Sequence, residues 1–315
     1  MKLLALLIGL IVERLATQLF HMRRLRWLDR AIDSGFRFGD RFAGWPALVP
    51  ITILAFMLVL PVILVRASLG DLWFGLGNPW FGLGELWFGF AYLVLAIVVL
   101  FFSLGPKDIA EDVADYCHAI EGGDEERIRM AAKALIEGDV PDTPEGRVKK
   151  VEESVCIQAN NRLFAVVFWF VLLGPVGAWT YRVTDLVRRR AVFNGLRNGE
   201  TTEDSLLAAS EMVHGWLAWI PARLTSIGYA MSGSFDGALT AWRKVGEGER
   251  LPMHVQSEQL LARVGVGALA LRDVEGESIS ERGVRGARAA SGIVIRLFFI
   301  WVAVISLMTL YGLSL

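Results

Sequence analysis

Asp108, Glu111, Asp112 and Asp115 recur at three- and four-residue intervals. On a helix that spacing puts all four carboxylates on one face. A hard divalent cation such as Mg²⁺ takes oxygen ligands of this kind, although a solvated acidic face is the commoner outcome of the same pattern. A second group is richer. Glu153, Gln158, Asn160, Asn161 and Arg162 stand before an apolar run at 163–181, and Tyr181, Arg182 and Asp185 stand at its end. Ionisable groups near membrane depth are costly and usually face a bundle interior or a wet cavity. Glu153, Gln158, Asn161, Arg182 and Asp185, with Arg223 further on, are therefore candidates for one ligand pocket. Interfacial snorkelling with mutual ion pairing is the competing reading. Glu13, inside the first apolar run, either pairs with Arg14 or turns into the same cavity.

Other chemistries leave no mark. Cys117 and Cys156 form no CxxC, and the four histidines are scattered. That argues against a zinc site or a disulfide framework. No P-loop or GxGxxG occurs, so no nucleotide site can be read from a phosphate-binding signature. The formal net charge of −1 gives no reason to expect a nucleic-acid partner.

The elements that must position these residues are apolar. Of the 315 residues, 54% are hydrophobic, and the excess sits in a few blocks, so the lipid bilayer is the expected surrounding. A helix crosses a hydrocarbon core of about 30 Å with some 20 apolar residues. Residues 1–20, 46–65, 87–104 and 291–314 meet that requirement. The first could be a signal peptide, but Glu13 and Arg14 interrupt it and no small-x-small site follows, so it reads as a retained helix. Residues 163–181 are apolar too, yet Gly174, Pro175 and Gly177 break them. Such a break is tolerated where protein or water satisfies the freed backbone. The run is either a kinked span or a re-entrant hairpin.

Basic residues choose between these. Short loops rich in Lys and Arg stay in the cytoplasm, and residues 22–41 hold six arginines. A re-entrant 163–181 keeps Arg182, Arg188, Arg189, Arg190, Arg282, Arg285 and Arg288 on that same side. The expected fold is all-α: a polytopic helical membrane protein with about four transmembrane helices, a broken or re-entrant helix and a cytoplasmic helical body. The expected divisions are 1–105 (three transmembrane helices), 106–162 (cytoplasmic helices), 163–235 (re-entrant and interfacial helices), 236–290 (cytoplasmic) and 291–315 (the last span). Both termini would be periplasmic in a bacterial inner membrane, with most polar loops cytoplasmic.

Trp73, Trp80 and Trp87 each open a WFG unit, in an expected periplasmic loop at 66–86. Trp and Phe favour the headgroup level, so the repeat reads as an interfacial anchor rather than a sugar-binding cleft. Residues 106–140 read as two helices parted by Gly122-Gly123, with Asp124 capping the second. Residues 212–231 are interrupted by His214, Pro221 and Arg223. They suit a helix lying in the interface or packed under the broken segment.

The motifs LIGLIVERL from Leu7, LDR at 28–30, ESVCIQANNRLFAVVFWFVLLGPVGAWTYR at 153–182 and WIPARLT at 219–225 resemble the AmpE family. Those are inner-membrane proteins encoded beside the AmpD amidase in bacteria with inducible β-lactamase. AmpE proteins are in turn similar to the CobD/CbiB adenosylcobinamide-phosphate synthases, membrane enzymes that form an amide using ATP and Mg²⁺. The synthase pattern matches at Glu153-Ser154, Gly177-Ala178, Tyr181-Arg182 and Ile220 through Thr225. Three of its acidic positions fall on Ile157, Asn161 and Arg188. Phosphoryl chemistry needs carboxylates to hold Mg²⁺, so the resemblance implies the shared fold more than the shared reaction.

It implies a regulatory or signalling protein that modulates β-lactamase induction. Its expected partners are the lipid bilayer and a cell-wall-recycling ligand or protein. The alternative is a CbiB-like enzyme with another substrate. Mg and ATP would be its cofactors, with Glu153, Asp185 and the 108–115 acids as ligands.

Overall fold

Gly174 stands at φ 73°, in the left-handed region that a side chain disfavours, and there the chain reverses. The computed structural model describes residues 26–39, 45–75, 83–104, 108–198, 203–246, 251–272 and 274–311. Every regular element among them is a helix: α1 (Arg26–Gly39), α2 (Leu48–Gly75), α3 (Leu83–Ser103), α4 (Ile109–Gly122), α5 (Glu125–Leu135) and α6 (Pro144–Ala159). A five-residue π turn, Asn160–Phe164, joins α6 to α7 (Ala165–Leu173). Then follow α8 (Pro175–Asn198), α9 (Glu203–Ser232), α10 (Phe235–Gly246), α11 (Met253–Leu269) and α12 (Ile279–Leu310).

The chain is an all-α membrane protein. Among the described residues three helices are long and apolar enough to cross a bilayer: Leu48–Leu69, Pro144–Leu173 and Ile279–Leu310. A shorter apolar helix covers Gly89–Ser103. The expected first span at 1–20, and Glu13 within it, lie outside the described residues. Of the most apolar stretch of Pro144–Leu173, 67% is buried inside the protein, against 22% in each of the other two. This helix therefore meets protein where the others offer their sides to lipid.

Two departures from the sequence reading are local. The arginine-rich segment at 22–41 contains a helix, α1, because Leu28, Ile32 and Phe36 repeat at four-residue spacing and pack inward. The expected aromatic loop at 66–86 is shorter, since α2 continues to Gly75 and α3 begins at Leu83. Trp73 and Trp87 are thus helical, and Trp80 lies outside the described residues. Trp, Phe and Leu are all compatible with a helix, and no proline stands between Arg66 and Gly75.

The chain divides into two units. The first comprises Met1–Pro106, Ala165–His214 and Ile305–Leu315. Its core brings α1, α2, α3 and α8 together through Leu28, Ile32, Ile51, Val59, Val99 and Val183. Trp179 donates from Nε1 to the Leu58 carbonyl at 3.0 Å. Arg190 on α8 grips Asp33 on α1 with two bonds of 2.6 and 2.5 Å. That bond holds the Asp33 carboxyl below its usual value, against the opposing effect of burial.

The second unit comprises Lys107–Phe164 and Gly215–Val304. Helix α4 starts on Asp108, which accepts from Ala110 N, and ends on Gly123 at φ 69°. Asp124 caps α5, accepting from Glu126 N and Arg127 N. The Gly123 end and the Asp124 cap follow the sequence reading. Thr143 caps α6, with Pro144 in its first turn, where the missing N–H has no partner to lose. The α10–α11 hairpin closes through glycines, with a Cβ on Gly237 falling 2.2 Å from the Gly267 carbonyl oxygen.

In the first unit α7 and α8 pack against each other across the Gly174 reversal. A Cβ added at Gly177 would lie 2.5 Å from the Trp169 carbonyl oxygen and 2.6 Å from Leu173 Cβ. Neither atom is the tip of a flexible chain, so the backbones would have to part. Gly177→Ala is expected to cost about 1–3 kcal/mol through overpacking, read as a lower Tm of the purified protein in detergent. Gly122→Ala meets nothing within 4 Å and should leave the Tm unchanged or slightly raised.

Candidate functional site

Residues 182, 185, 188 and 189 are three and four apart on α8, so their side chains share a face. Three guanidiniums converge there on one carboxylate. Arg182 Nη1 donates to Asp185 Oδ2 at 3.0 Å, Arg189 Nε to the same oxygen at 2.8 Å, and Arg188 Nη2 to Oδ1 at 3.3 Å. From α9, His214 Nε2 lies 3.7 Å from Oδ1, and its ring stands 5.3 Å from that of Tyr181. Asp185 is fully buried, while Arg182, Arg188 and His214 are 4%, 4% and 3% exposed. Only Arg189 is noticeably open, at 24% of its side chain. Burial alone would push the Asp185 carboxyl up, but the charges of Arg189, Arg188, Arg182 and His214 outweigh it. The carboxyl is held well below its ordinary value.

The second unit carries a separate polar array. Asp112 on α4 is buried and accepts from Arg162 Nη1 at 2.8 Å. Arg162 also donates to Gln158 Oε1 at 2.9 Å and to the Ala134 carbonyl at 3.0 Å. Gln158 donates in turn to Glu137 at 2.7 Å. Close by in sequence, Asn160 Nδ2 donates to Asn161 Oδ1 at 3.1 Å, and Thr225 Oγ1 to Asn160 Oδ1 at 3.0 Å. A π turn displaces the usual i to i−4 bonding. The Tyr229 hydroxyl donates to the Cys156 carbonyl at 2.8 Å, four residues before that turn.

The candidates from the sequence thus separate. Arg182 and Asp185 belong to the first unit and touch each other. Gln158, Asn161 and Arg223 belong to the second, each in a local bond network. Arg223 lies over the Trp219 ring at 3.8 Å and donates to the Trp219 carbonyl and to Gln256 Oε1. Glu153 is half-buried with Lys150 Nζ 4.0 Å away. The neighbouring acid, Glu152, is the buried one, and it is gripped by Arg282.

The acids of the α4 face are engaged differently from one another. Asp108 serves as a cap, Asp112 is bound to Arg162, and Glu111 is exposed. Among the described residues no group of three His, Cys, Asp or Glu side chains stands close enough to hold a metal ion. A groove of about 460 Å³ does run beside this face, lined by Asp112, Asp115, His118, Asp124, Arg127 and Met130.

Sequence reasoning missed His214, Arg188 and Arg189 as members of the Asp185 cluster. For the arginines the signal was present, in their three- and four-residue spacing from Asp185. For His214 it was not, because only tertiary packing brings α9 to α8.

These features define a helical membrane protein with charged groups buried in its interior. Its full length, residues 1–315, matches the family model described as "Regulatory signalling modulator protein AmpE", and the chain belongs to that family. It is 26% identical over 162 residues to Protein AmpE of Shigella flexneri, covering 51% of this chain and 52% of that one. It is 28% identical over 148 residues to the cobalamin biosynthesis protein CobD of Stutzerimonas stutzeri, covering 47% of each. The CobD of Chromobacterium violaceum is 25% identical over 152 residues, covering 48% of this chain and 47% of that one. The chain thus spans about half the length of the curated relatives it matches. No solved structure matches it.

Asp185→Asn would leave three guanidiniums, two of them buried, facing a neutral amide. Removing one partner of a buried ionic cluster costs about 3–5 kcal/mol, so the Tm of the purified protein is expected to fall steeply. In the unaltered chain the depressed carboxyl stabilises the fold above the unfolded value of about 4. That contribution disappears as pH falls through the lower folded value. Thermal melts should therefore lose no stability from this group between pH 8 and pH 5, and begin to lose it only below about pH 4.

Proposed function

We propose that this chain is a bacterial inner-membrane regulator that modulates β-lactamase induction, linked to cell-wall recycling, and that the Asp185 cluster is its sensing site. The observation that carries the reading is the convergence of Arg182, Arg188 and Arg189 on one buried carboxylate, on the helix that leaves the Gly174 reversal. A ligand or partner that presents a carboxylate or phosphate would compete with Asp185 for Arg189, the most open of the three. Charge-assisted bonds to arginine are strong and bidentate by geometry. Moving Arg189 off Asp185 would weaken the packing of α8 and pass the occupancy on to the helices around it.

The side on which this happens is inferred from charge. The chain turns at Gly174 and α8 runs back along α7. The arginines of α8 support a return on the cytoplasmic side, where basic residues are retained.

The regulatory reading is also supported at the positions where the resembling synthases carry acids. Here Arg188 donates to Asp185, and Asn161 accepts from Asn160. Isoleucine at 157 has no oxygen to offer a cation. The similarity to two CobD proteins favours a second reading, an Mg- and ATP-dependent amide-forming enzyme. Titration of MgATP into the purified full-length protein separates the two. Binding that Glu153→Gln abolishes would favour the enzyme.

Arg189→Gln removes one cation and leaves Asp185 bonded to Arg182 and Arg188, so the protein should still reach the membrane. In cells carrying this variant at the native locus, β-lactamase activity after exposure to a β-lactam is expected to match that of a deletion. An immunoblot of membranes should show the normal amount of protein. A normal induction response with Arg189→Gln would remove the cluster from the signalling path.

A further inference from the structure

Helix α9 carries an exposed apolar stripe in the second unit. Trp216, Trp219, Ile220, Leu224, Ile227 and Met231 are 51%, 38%, 44%, 41%, 49% and 64% exposed. Their spacing of three, four and seven residues makes one continuous helix face. Soluble surfaces rarely leave so long an apolar strip uncovered. By length and composition this segment is not among the helices that would cross a bilayer unaided. Its neighbours within the unit nevertheless fix where it sits.

Helices α6 and α12 rise together. Val148 lies where a Cβ on Gly283 would be, Glu152 pairs with Arg282, and the Phe164 ring meets the Trp301 ring at 5.7 Å. Helix α9 runs the opposite way. Tyr229 bonds to Cys156 and Thr225 to Asn160. A Cβ on Gly233 would meet Ile293 Cδ1 at 2.6 Å, and one on Gly228 would meet Leu297 Cδ1 at 2.3 Å. Helix α12 is charged at Arg282, Arg285, Arg288 and Arg296 and carries no ionisable residue from Leu297 to Leu310. Moving from Gly233 back towards Trp216 is therefore moving into the depth at which α12 is purely apolar. At that depth α12 itself exposes Phe299 and Val304.

From this register we propose that the Trp216–Met231 face of α9 is a lipid-contacting surface, inserted into one leaflet with Trp216 deepest and Met231 near the headgroups. The occupant of the stripe is the acyl chains that also cover α12. The single ionisable group on this face, Arg223, is compatible with that depth. Its guanidinium stacks on Trp219 and is bonded to the Trp219 carbonyl and Gln256. Its charge is thus shared with protein, while a long stem lets the head reach outward. The segment extends the lipid-facing surface beyond the helices that qualify as spans by their own composition.

The test uses the full-length protein in phosphatidylcholine–phosphatidylglycerol vesicles. A nitroxide is placed at Ile220→Cys, Ile227→Cys or Phe235→Cys, with Met130→Cys as the aqueous reference. The native Cys117 and Cys156 are buried. Collision with oxygen, which partitions into lipid, is compared with collision with a water-soluble nickel chelate. The oxygen-to-nickel ratio is expected to rise from Phe235 to Ile227 to Ile220, severalfold above Met130 at the last. All labelled positions are exposed, and a Tm matching the unlabelled chain confirms the fold of each variant. A ratio at Ile220 equal to that at Met130, or a gradient of opposite sign, overturns the proposal. So does spin–spin broadening at Ile220 that vanishes on dilution with unlabelled chain, which would put a second copy on this face.

Discussion

A helix can reverse inside or beside a membrane only if the turn leaves few backbone groups unpaired and lets the two arms touch. Gly174 and Gly177 meet both needs. The first adopts a left-handed conformation, with its own N–H still bonded to the Phe170 carbonyl. The second removes the Cβ that would strike the Trp169 carbonyl. Pro175 begins the next helix where its missing N–H costs nothing. Without this turn α8 would not run back, and the arrangement of Tyr181, Arg182, Asp185 and the arginines after them would be lost.

The Asp185 cluster shows why such a return requires strong local chemistry. A carboxylate out of water is expensive unless it is paired and hydrogen-bonded. Here the compensation comes mostly from the same helix, from residues one turn away on either side. The geometry is therefore set once α8 forms, and packing against α9 adds His214. A buried group that depends on several cations is also sensitive to the removal of any one. That sensitivity is the physical basis for reading the cluster as a sensor rather than as a passive staple.

Much of this was legible in the chain. The apolar blocks gave the class, Gly122-Gly123 and Asp124 gave the α4–α5 corner, and Gly174-Pro175 gave the break. Helix α1 was hidden because its arginines drew the eye to charge, although Leu28, Ile32 and Phe36 carry a helical period. The candidate site was legible only where it is local. Arg182 and Asp185 touch because they are three residues apart. Glu152 was passed over in favour of Glu153 because nothing in one sequence says which of two adjacent acids turns inward. The choice is made by Arg282, 130 residues away. The π turn at Asn160–Phe164 has no propensity signature, and partners such as Tyr229 and Thr225 come from a different helix.

The arginines of α12 act at two different times. In the finished protein Arg282, Arg285 and Arg288 are neutralised by Glu152, Glu277 and Glu121. During biogenesis, lysine and arginine set the orientation of a nascent segment, while acids count for little. The same side chains can thus cue the orientation of α12 as it emerges and become structural ion pairs once the earlier-made Glu121 and Glu152 have packed. Exchanging one of these arginines for its acid would preserve the pair but erase the orientation cue, and so would separate the fold's stability from its assembly.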